Sequence, residues 1–444
     1  MVSRRLGYVT DIEGNLDYFE RYVAISPVLR YIAPGELELV DEMCVFVFGG
    51  DLVDKGAGDL RLCRQMVALK RRYPERVFLL VGNRDLNKLR FTSELSDADM
   101  ARPVHSIPIP HWLESNPRAV SLAQHLSKRA QELGVELDAV NTRAERLRWM
   151  YKETLGCPET FELRRLEMAL LRAAEGGDGT AATAVSDDDV VVNCIAEVQK
   201  GGSLWEYLSV ACVAVHIGNT LFVHGAVDID NYGWIPPHTK FQIPEDESRP
   251  DVPRVDSVSE WVAGLNAYLR AGLADHAARP AWDEPVRSTR GGESLMALQN
   301  RCAMWGRSVV SNCYGDGGNV TTAEALTKRA QKLAEMGSSP ETSGGRASLL
   351  YEGVCSNPRD PTVVAWLQRS GVRRVVVGHK PCGDCPAVMS SRYSGTEIVC
   401  ADTAFSDTSS KPDMRGVALA SVVLVGTAEE NHTELHGVLK DGRE

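Results

Sequence analysis

Short apolar runs, each followed directly or after one or two glycines by a polar residue able to bind a metal ion, recur at both ends of this 444-residue chain. The runs are "YVT", "VFVF", "VFLLV", "LFV" and "VVV". The first three lie within the first 90 residues and alternate with amphipathic segments. Strands that alternate with helices form sheets with helices packed on their faces. We therefore predict an α/β fold.

The segments between the first three strands predict two helices. Residues 16–32 ("LDYFERYVAISPVLRYI") and 59–73 ("DLRLCRQMVALKRRY") both carry apolar residues at helical spacing. Later in the chain, strand-like sequence returns around Gly218-Asn219, a pair typical of a hairpin turn. It returns again in the C-terminal part of the chain.

Two long insertions divide this strand-rich sequence. Residues 91–202 show helical periodicity, and 236–364 are rich in proline and charge, with one helix expected at 322–337. We predict a core assembled from residues 1–90, 203–235 and 365–444, with the insertions outside it.

Composition excludes several classes of protein. The net charge of −11 argues against a broad basic surface for duplex nucleic acid or an anionic membrane. No apolar stretch approaches the roughly 20 residues that span a bilayer. Eleven irregularly spaced cysteines indicate reduced thiols, and Cys382-x-x-Cys385 lacks the second pair that a zinc site needs. We expect a cytoplasmic protein.

The polar residues that follow the five strands form a set of candidate metal ligands. They are Asp11, Glu13, Asp51, Asn83, His224 and His379. In open sheets, ligands bind beyond the carboxyl ends of the strands, so these side chains are expected to meet. Isolated acids at a strand end would ordinarily be solvated, but this set balances poorly without cations. Carboxylates suit hard divalent ions, and imidazole suits Zn, Fe and Mn.

The motifs resemble those of the metallophosphoesterases, the calcineurin-like group that includes serine/threonine phosphoprotein phosphatases and dinucleoside polyphosphate hydrolases. "DIEGN", "GDLVDKG", "GNRD", "VHGAV" and "GHKP" stand in the family order. The resemblance covers roughly residues 1–90, 203–232 and 370–425. It implies a four-layer αββα sandwich, which the largely helical insertions would cap.

The resemblance also implies roles for single residues. Asp11 and Glu13 would bind a first metal ion, and Asp51 would bridge two ions. Asn83, His224 and His379 would complete the second site. Lys55 stands where the phosphoprotein phosphatases place a phosphate-binding arginine.

Two residues depart from the family pattern. Glu13 replaces a histidine ligand, which makes the first site harder and favours Mn²⁺ or Mg²⁺ over Zn²⁺, unless Glu13 binds only through water. Arg84 replaces the histidine that protonates the leaving group. Arginine keeps its proton, so Arg84 is expected to bind phosphoryl oxygens with Asp85 orienting it. His105 or His111 would be the alternative acid.

These features predict a divalent-metal-dependent phosphoesterase that cleaves phosphomonoester or phosphoanhydride bonds with a metal-bound hydroxide. Asp51, Arg84 and Asp85 are its candidate catalytic residues, and Lys55 and Arg84 bind the substrate phosphate. The substrate would be a phosphorylated small molecule, a nucleotide or a phosphoprotein. A serine/threonine protein phosphatase and an inactive scaffold of the same fold are the alternatives. The oligomeric state stays open.

Overall fold

The structure is a computed structural model. It describes residues 4–110, 113, 116–175, 184–236, 253–281, 290–299, 308–314, 355–356, 360–381, 386–390, 396–403, 418–439 and 442–443. The helix expected at 322–337, His111, the Cys382–Cys385 pair and most of the second insertion lie outside these ranges.

The described chain is a mixed α/β structure, which confirms the predicted fold class. Its strands are β1 (Arg4–Val9), β2 (Leu29–Ala33), β3 (Glu36–Leu39), β4 (Cys44–Phe48), β5 (Val77–Leu79), β6 (Ala214–Ile217), β7 (Thr220–Val223), β8 (Cys313–Tyr314), β9 (Cys355–Ser356), β10 (Arg374–Val377), β11 (Ala387–Ser390), β12 (Glu397–Cys400), β13 (Ala418–Gly426) and β14 (Asn431–Leu439).

Most of the described helices lie between the strand-rich segments. They are α1 (Leu16–Ile25), α2 (Asp59–Arg72), α3 (Asn83–Asn87), α4 (Phe91–Glu94), α5 (Asp97–Met100), α6 (Leu122–Leu133), α7 (Leu137–Val140), α8 (Arg143–Trp149), α9 (Thr160–Glu175), α10 (Asp187–Glu197), α11 (Ser203–Val210), α12 (Val258–Ala278), α13 (Met296–Gln299) and α14 (Pro361–Arg369). None of these described helices is long and apolar enough to cross a membrane.

Ten of the strands form two five-stranded sheets. The first sheet has the order β14-β13-β1-β4-β5, and the second has the order β11-β12-β10-β7-β6. Strands β1, β4 and β5 run parallel to one another, as do β7, β10 and β12. The hairpin turn expected at Gly218-Asn219 is confirmed, because β6 and β7 pair in antiparallel fashion on either side of it.

The two sheets contact each other through one compact apolar cluster. Tyr8 of β1 stacks on Phe222 of β7 with 5.8 Å between the ring centroids. Val47 of β4 and Val376 of β10 belong to the same cluster and are fully buried. Because alternate residues of a strand point to opposite faces, the other faces of these strands pack against helices. The strand ends of both sheets are thereby held close together.

The helix predicted over residues 16–32 is shorter than expected. It ends at Ile25, and residues 29–33 form β2, which pairs with β3 in a two-stranded hairpin. The reason is local, since Pro27 has no N–H to donate and disfavours helical backbone at Ser26 before it. The second predicted helix, α2, has the expected extent.

Candidate metal centre

The candidate ligands lie where the parallel strands end. Asp11 and Glu13 follow β1, Asp51 follows β4, Asn83 follows β5, and the two histidines follow β7 and β10. The backbone of these loops is strained, because several non-glycine residues in them have positive φ. Every such residue in the described chain lies in these loops. These residues are Asp11, Glu13, Asp51, Asp54 and His379, with φ of 54°, 50°, 56°, 133° and 69°. Such strain persists only where the surrounding structure enforces it, and it concentrates at functional sites.

Four donor atoms converge from both sheets, and we call Asp51, Asn83, His224 and His379 the second ligand set. Asn83 Oδ1 lies 2.9 Å from His379 Nδ1 and 3.3 Å from His224 Nε2. His224 Nε2 lies 3.4 Å from Asp51 Oδ2. Ligands about 2.1 Å from a shared ion stand about 3–3.5 Å apart, so these spacings fit a cation at the common centre.

The surroundings of His224 also fit a metal ligand. Its Nδ1 lies 2.8 Å from the carbonyl oxygen of Gly49, which accepts a hydrogen bond from a protonated Nδ1. That bond leaves the lone pair of Nε2 directed at Asn83 and Asp51. A second-shell carbonyl commonly orients metal-binding histidines in this way.

Three carboxylates form another group: Asp11, Glu13 and Asp51. We call it the first ligand set, because it corresponds to the first metal site that the motif resemblance implies. One oxygen from each lies within 4.8 Å of the others. Asp11 Oδ2 accepts hydrogen bonds from the Thr10 hydroxyl at 2.6 Å and from the His379 N–H at 3.0 Å. Asp51 Oδ1 accepts one from the backbone N–H of Arg84 at 2.8 Å.

Two basic side chains enter the first ligand set. Arg84 Nε lies 2.6 Å from Glu13 Oε1 and 3.6 Å from Asp51 Oδ2, and Lys55 Nζ lies 2.9 Å from Glu13 Oε2. The two departures from the family pattern, Glu13 and Arg84, therefore contact each other. In these contacts Lys55 pairs with Glu13.

Asp54 and Lys88 support Arg84 from behind. Arg84 Nη1 lies 3.2 Å from Asp54 Oδ2, and Lys88 Nζ lies 2.7 Å from Asp54 Oδ1. Lys88 and Arg90, which follow the "GNRD" motif, are both buried, and Arg90 pairs with Glu94 at 2.8 Å. Both charges are therefore paired with carboxylates inside the protein.

Asp85 has a different position from the one expected. Its carboxylate accepts the backbone N–H groups of Gly82, Asp51 and Leu52 at 2.8, 3.1 and 2.8 Å. The recorded bonds of the Arg84 guanidinium go to other residues, so Asp85 orients the Asp51 loop instead of the guanidinium. Burial and the Asp51 carboxylate raise the pKa of Asp85 to about 7.

Crowded carboxylates dominate the electrostatics of the centre. Burial and then Asp402 raise the pKa of Asp11 well above its usual value. Burial opposes protonation of His224, but Asp51 and Asp11 raise its pKa to about 10. Burial and the neighbouring His224 lower the pKa of His379 to about 3. A divalent cation would therefore compete with a proton for His224, and binding would release that proton.

Two residues of the centre, Asp402 and Asp54, were not predicted as site residues from the sequence. Asp402, after β12, is buried close enough to Asp11 to raise its pKa. Asp54 stands inside the quoted "GDLVDKG" motif, so the signal for it was present. His105, an alternative acid, is exposed in the short helical turn Val104–Ser106.

Comparisons with known proteins found similar solved structures at low identity. No family model and no curated protein matches the chain. One similar solved structure is a cold-active protein-tyrosine phosphatase of a psychrophilic Shewanella, at 12% identity over 97% of this chain and 80% of that chain, with a TM-score of 0.36. A second is a protein serine/threonine phosphatase from Saccharomyces cerevisiae, at 10% identity over 98% and 80%, with a TM-score of 0.37.

A third similar structure is a diadenosine tetraphosphatase, at 12% identity over 97% of this chain and 93% of that chain, with a TM-score of 0.26. The chain is similar to phosphatases. The case for a function rests on the geometry of the centre.

Proposed function

We propose that this protein is a divalent-metal-dependent phosphoesterase that hydrolyses phosphomonoester or phosphoanhydride bonds. The observation that carries the proposal is the convergence of Asp51, Asn83, His224 and His379 from the strand ends of two sheets. Oxygen and imidazole donors at these spacings suit a divalent ion such as Mn²⁺, with Mg²⁺, Fe and Zn²⁺ as alternatives. When bound, the cation supplies Lewis-acid activation of water and of the phosphoryl group.

The protein's own residues would position the substrate beside this ion. Arg84 and Lys55 are 17% and 19% exposed in their side chains, enough to meet a phosphoryl oxygen at the edge of the centre. A fixed guanidinium and an ammonium would stabilise the negative charge that develops on the transferring group. Thr10 and Asp85 would hold the Asp11 and Asp51 loops in place through the bonds described above.

Arg84 is not a general acid, and this limits which leaving groups the enzyme can expel readily. Arg84 cannot donate a proton to a departing alkoxide, and a missing acid costs about 10²–10⁴-fold in rate. The leaving groups of phosphoanhydrides and aryl phosphates depart without protonation by an acid. We therefore expect nucleotide-type and aryl phosphates to be cleaved faster than phosphoserine peptides.

The wider architecture belongs to the same proposal. The contact between the two sheets supports a four-layer αββα core made of residues 1–90, 203–235 and 365–444. The insertions 91–202 and 236–364 would form a cap that shapes substrate entry. A cytoplasmic location and a phosphorylated small molecule, nucleotide or phosphoprotein as substrate complete it. The two-ion form of the chemistry stays a prediction, because Arg84 contacts its first ligand set.

Phosphate release under Mn²⁺ tests this function. We expect turnover of an aryl phosphate and of a dinucleoside polyphosphate, a smaller rate on a phosphoserine peptide, and loss of at least 10²-fold in Asp51→Asn. Arg374→Lys, at the opposite end of β10, serves as the control and should keep the wild-type rate. A clear preference for phosphoserine would favour a protein phosphatase. Absence of both metal and turnover would favour the inactive scaffold.

A further inference from the structure

We propose that the Arg84 guanidinium takes the place of the first metal ion. The centre would then bind one divalent cation, at Asp51, Asn83, His224 and His379. The positive charge beside Asp11, Glu13 and Asp51 would come from the protein itself. This proposal deepens the proposed function and rests on it for the role in substrate binding, whereas the metal count does not depend on turnover.

The position of Arg84 is the first argument. Its Nε lies 2.6 Å from Glu13 and 3.6 Å from Asp51, which are two of the three carboxylates in the first ligand set. Its Nη1 is held by Asp54 at 3.2 Å and lies 3.5 Å from the Leu155 carbonyl oxygen. A divalent ion among the same carboxylates would lie beside a permanent positive charge in a buried site, where repulsion is poorly screened.

The engagement of Glu13 is the second argument. Arg84 pairs with Oε1 and Lys55 with Oε2, so each carboxylate oxygen already contacts a cation. The Glu13 side chain is only 7% exposed. Burial favours its neutral form, but Arg84 and Lys55 lower the pKa of Glu13. A metal ion that bound Glu13 directly would have to share a carboxylate oxygen with one of these two cations, at close range to its positive charge.

The charge balance is the third argument. Five carboxylates and three basic side chains meet here: Asp11, Glu13, Asp51, Asp54 and Asp402, with Lys55, Arg84 and Lys88. With both imidazoles neutral, two negative charges remain. A single divalent ion balances them before the substrate binds. A second divalent ion would leave a buried excess of two positive charges before any substrate arrives.

With Arg84 in place of the first metal ion, its Nη2 can still donate a hydrogen bond to the substrate. Among the described residues, the guanidinium makes these contacts through Nε and Nη1, and Nη2 makes none of them. A phosphoryl oxygen at the second ligand set could therefore accept a hydrogen bond from Nη2. Arg84 would bind substrate while its other nitrogens stay fixed by carboxylates.

Manganese binding to the purified full-length chain tests the proposal. After removal of metals with a chelator, Mn²⁺ is titrated while stoichiometry is measured by equilibrium dialysis. Electron paramagnetic resonance is recorded on the same samples. We expect one Mn²⁺ per chain and the six-line signal of an isolated ion. Two ions per wild-type chain with an exchange-coupled signal would overturn the proposal.

The double substitution Glu13→His and Arg84→His removes the guanidinium and its partner together. It should bind two Mn²⁺ per chain and give the exchange-coupled signal. Arg374→His removes another buried arginine, paired with Glu397 at 2.5 Å at the opposite end of β10, and should still bind one. His379→Ala should lose the single ion.

A folded double variant that binds only one ion would show that Arg84 does not exclude the second, and would also overturn the proposal. If circular dichroism shows that the double variant is unfolded, Arg84→Gln replaces it under the same criteria. Phosphate release is measured separately. One bound ion without turnover would contradict the proposed function and leave the metal count intact.

Discussion

At the scale of single residues, the centre combines strained backbone with unusually close packing. Asp11 and His379 both have positive φ, and the N–H of His379 donates to Asp11 Oδ2 at 3.0 Å. Gly378 makes this possible, because a Cβ there would clash with the Thr10 hydroxyl and with Asp11 Oδ2. Glycine at 378 therefore lets the end of β10 approach the Asp11 loop closely.

Gly378→Ala should therefore damage the centre. The added methyl group would push Asp11 away from His379, and we expect Mn²⁺ affinity to fall at least tenfold, with about 1–3 kcal/mol lost in stability. Titration of Mn²⁺ and thermal unfolding measure the two effects. Gly371→Ala, before the same strand, adds its Cβ in open space at φ +78° and should leave affinity unchanged. Equal affinity in Gly378→Ala and wild type would contradict this reading.

At the scale of elements, a helix of the predicted first insertion braces a helix of the predicted core. Glu167 of α9 is fully buried and accepts the backbone N–H groups of Leu60 and Arg61 in the first turn of α2, at 3.0 and 3.1 Å. A carboxylate at a helix N-terminus satisfies unpaired donors and complements the helix dipole. Thr160 of α9 donates to the Asp54 carbonyl oxygen at 2.6 Å, which connects this brace to the metal centre.

Glu167→Ala should lower the free energy of unfolding by about 2–4 kcal/mol, because it leaves two buried N–H groups and the Arg61 side chain without their acceptor. Urea unfolding followed by circular dichroism measures the loss. Glu162→Ala on the same helix is the matched control. Glu162 is 60% exposed and pairs with Arg165 at the surface, so its removal should cost less than about 1 kcal/mol. Similar losses in both variants would argue against the brace.

At the scale of the whole molecule, residues far apart in the chain build each functional feature. Asp11 and His379 are 368 positions apart, yet they share a hydrogen bond. Away from the centre, His276 of α12 is 1% exposed, stacks on Trp205 of α11 and lies 3.2 Å from the Val198 carbonyl oxygen. Burial lowers the pKa of His276 below its usual value, since the charged imidazole would lose its hydration.

This histidine predicts how the fold responds to acid. Below about pH 6.5, His276 takes up a proton in the unfolded chain but not in the folded one, so its contribution to stability is lost as the pH falls. The slope approaches about 1.4 kcal/mol per pH unit for one proton. His276→Gln keeps a donor for Val198 without titrating. Unfolding measured from pH 7.5 to 5.5 should therefore show a shallower decline in the variant. Parallel declines would exclude His276 as the cause.

The sequence by itself determined the α/β class, the positions of the parallel strands and the identity of the candidate ligands. These features are readable because they depend on local patterns: apolar runs, glycines, and the polar residue that follows each strand. The end of α1 was readable in the same way from Ser26-Pro27, although the periodicity of residues 16–32 suggested a longer helix.

Only the tertiary structure decided which charges meet. The pairing of Glu13 with Arg84 and Lys55, the bonds of Asp85 to the Asp51 loop, and the burial of Lys88 against Asp54 depend on distances between separate loops. Sequence spacing does not contain those distances, because the packing of two sheets sets them. A side chain that looks like a metal ligand in the sequence can therefore be an ion-pair partner in the folded protein.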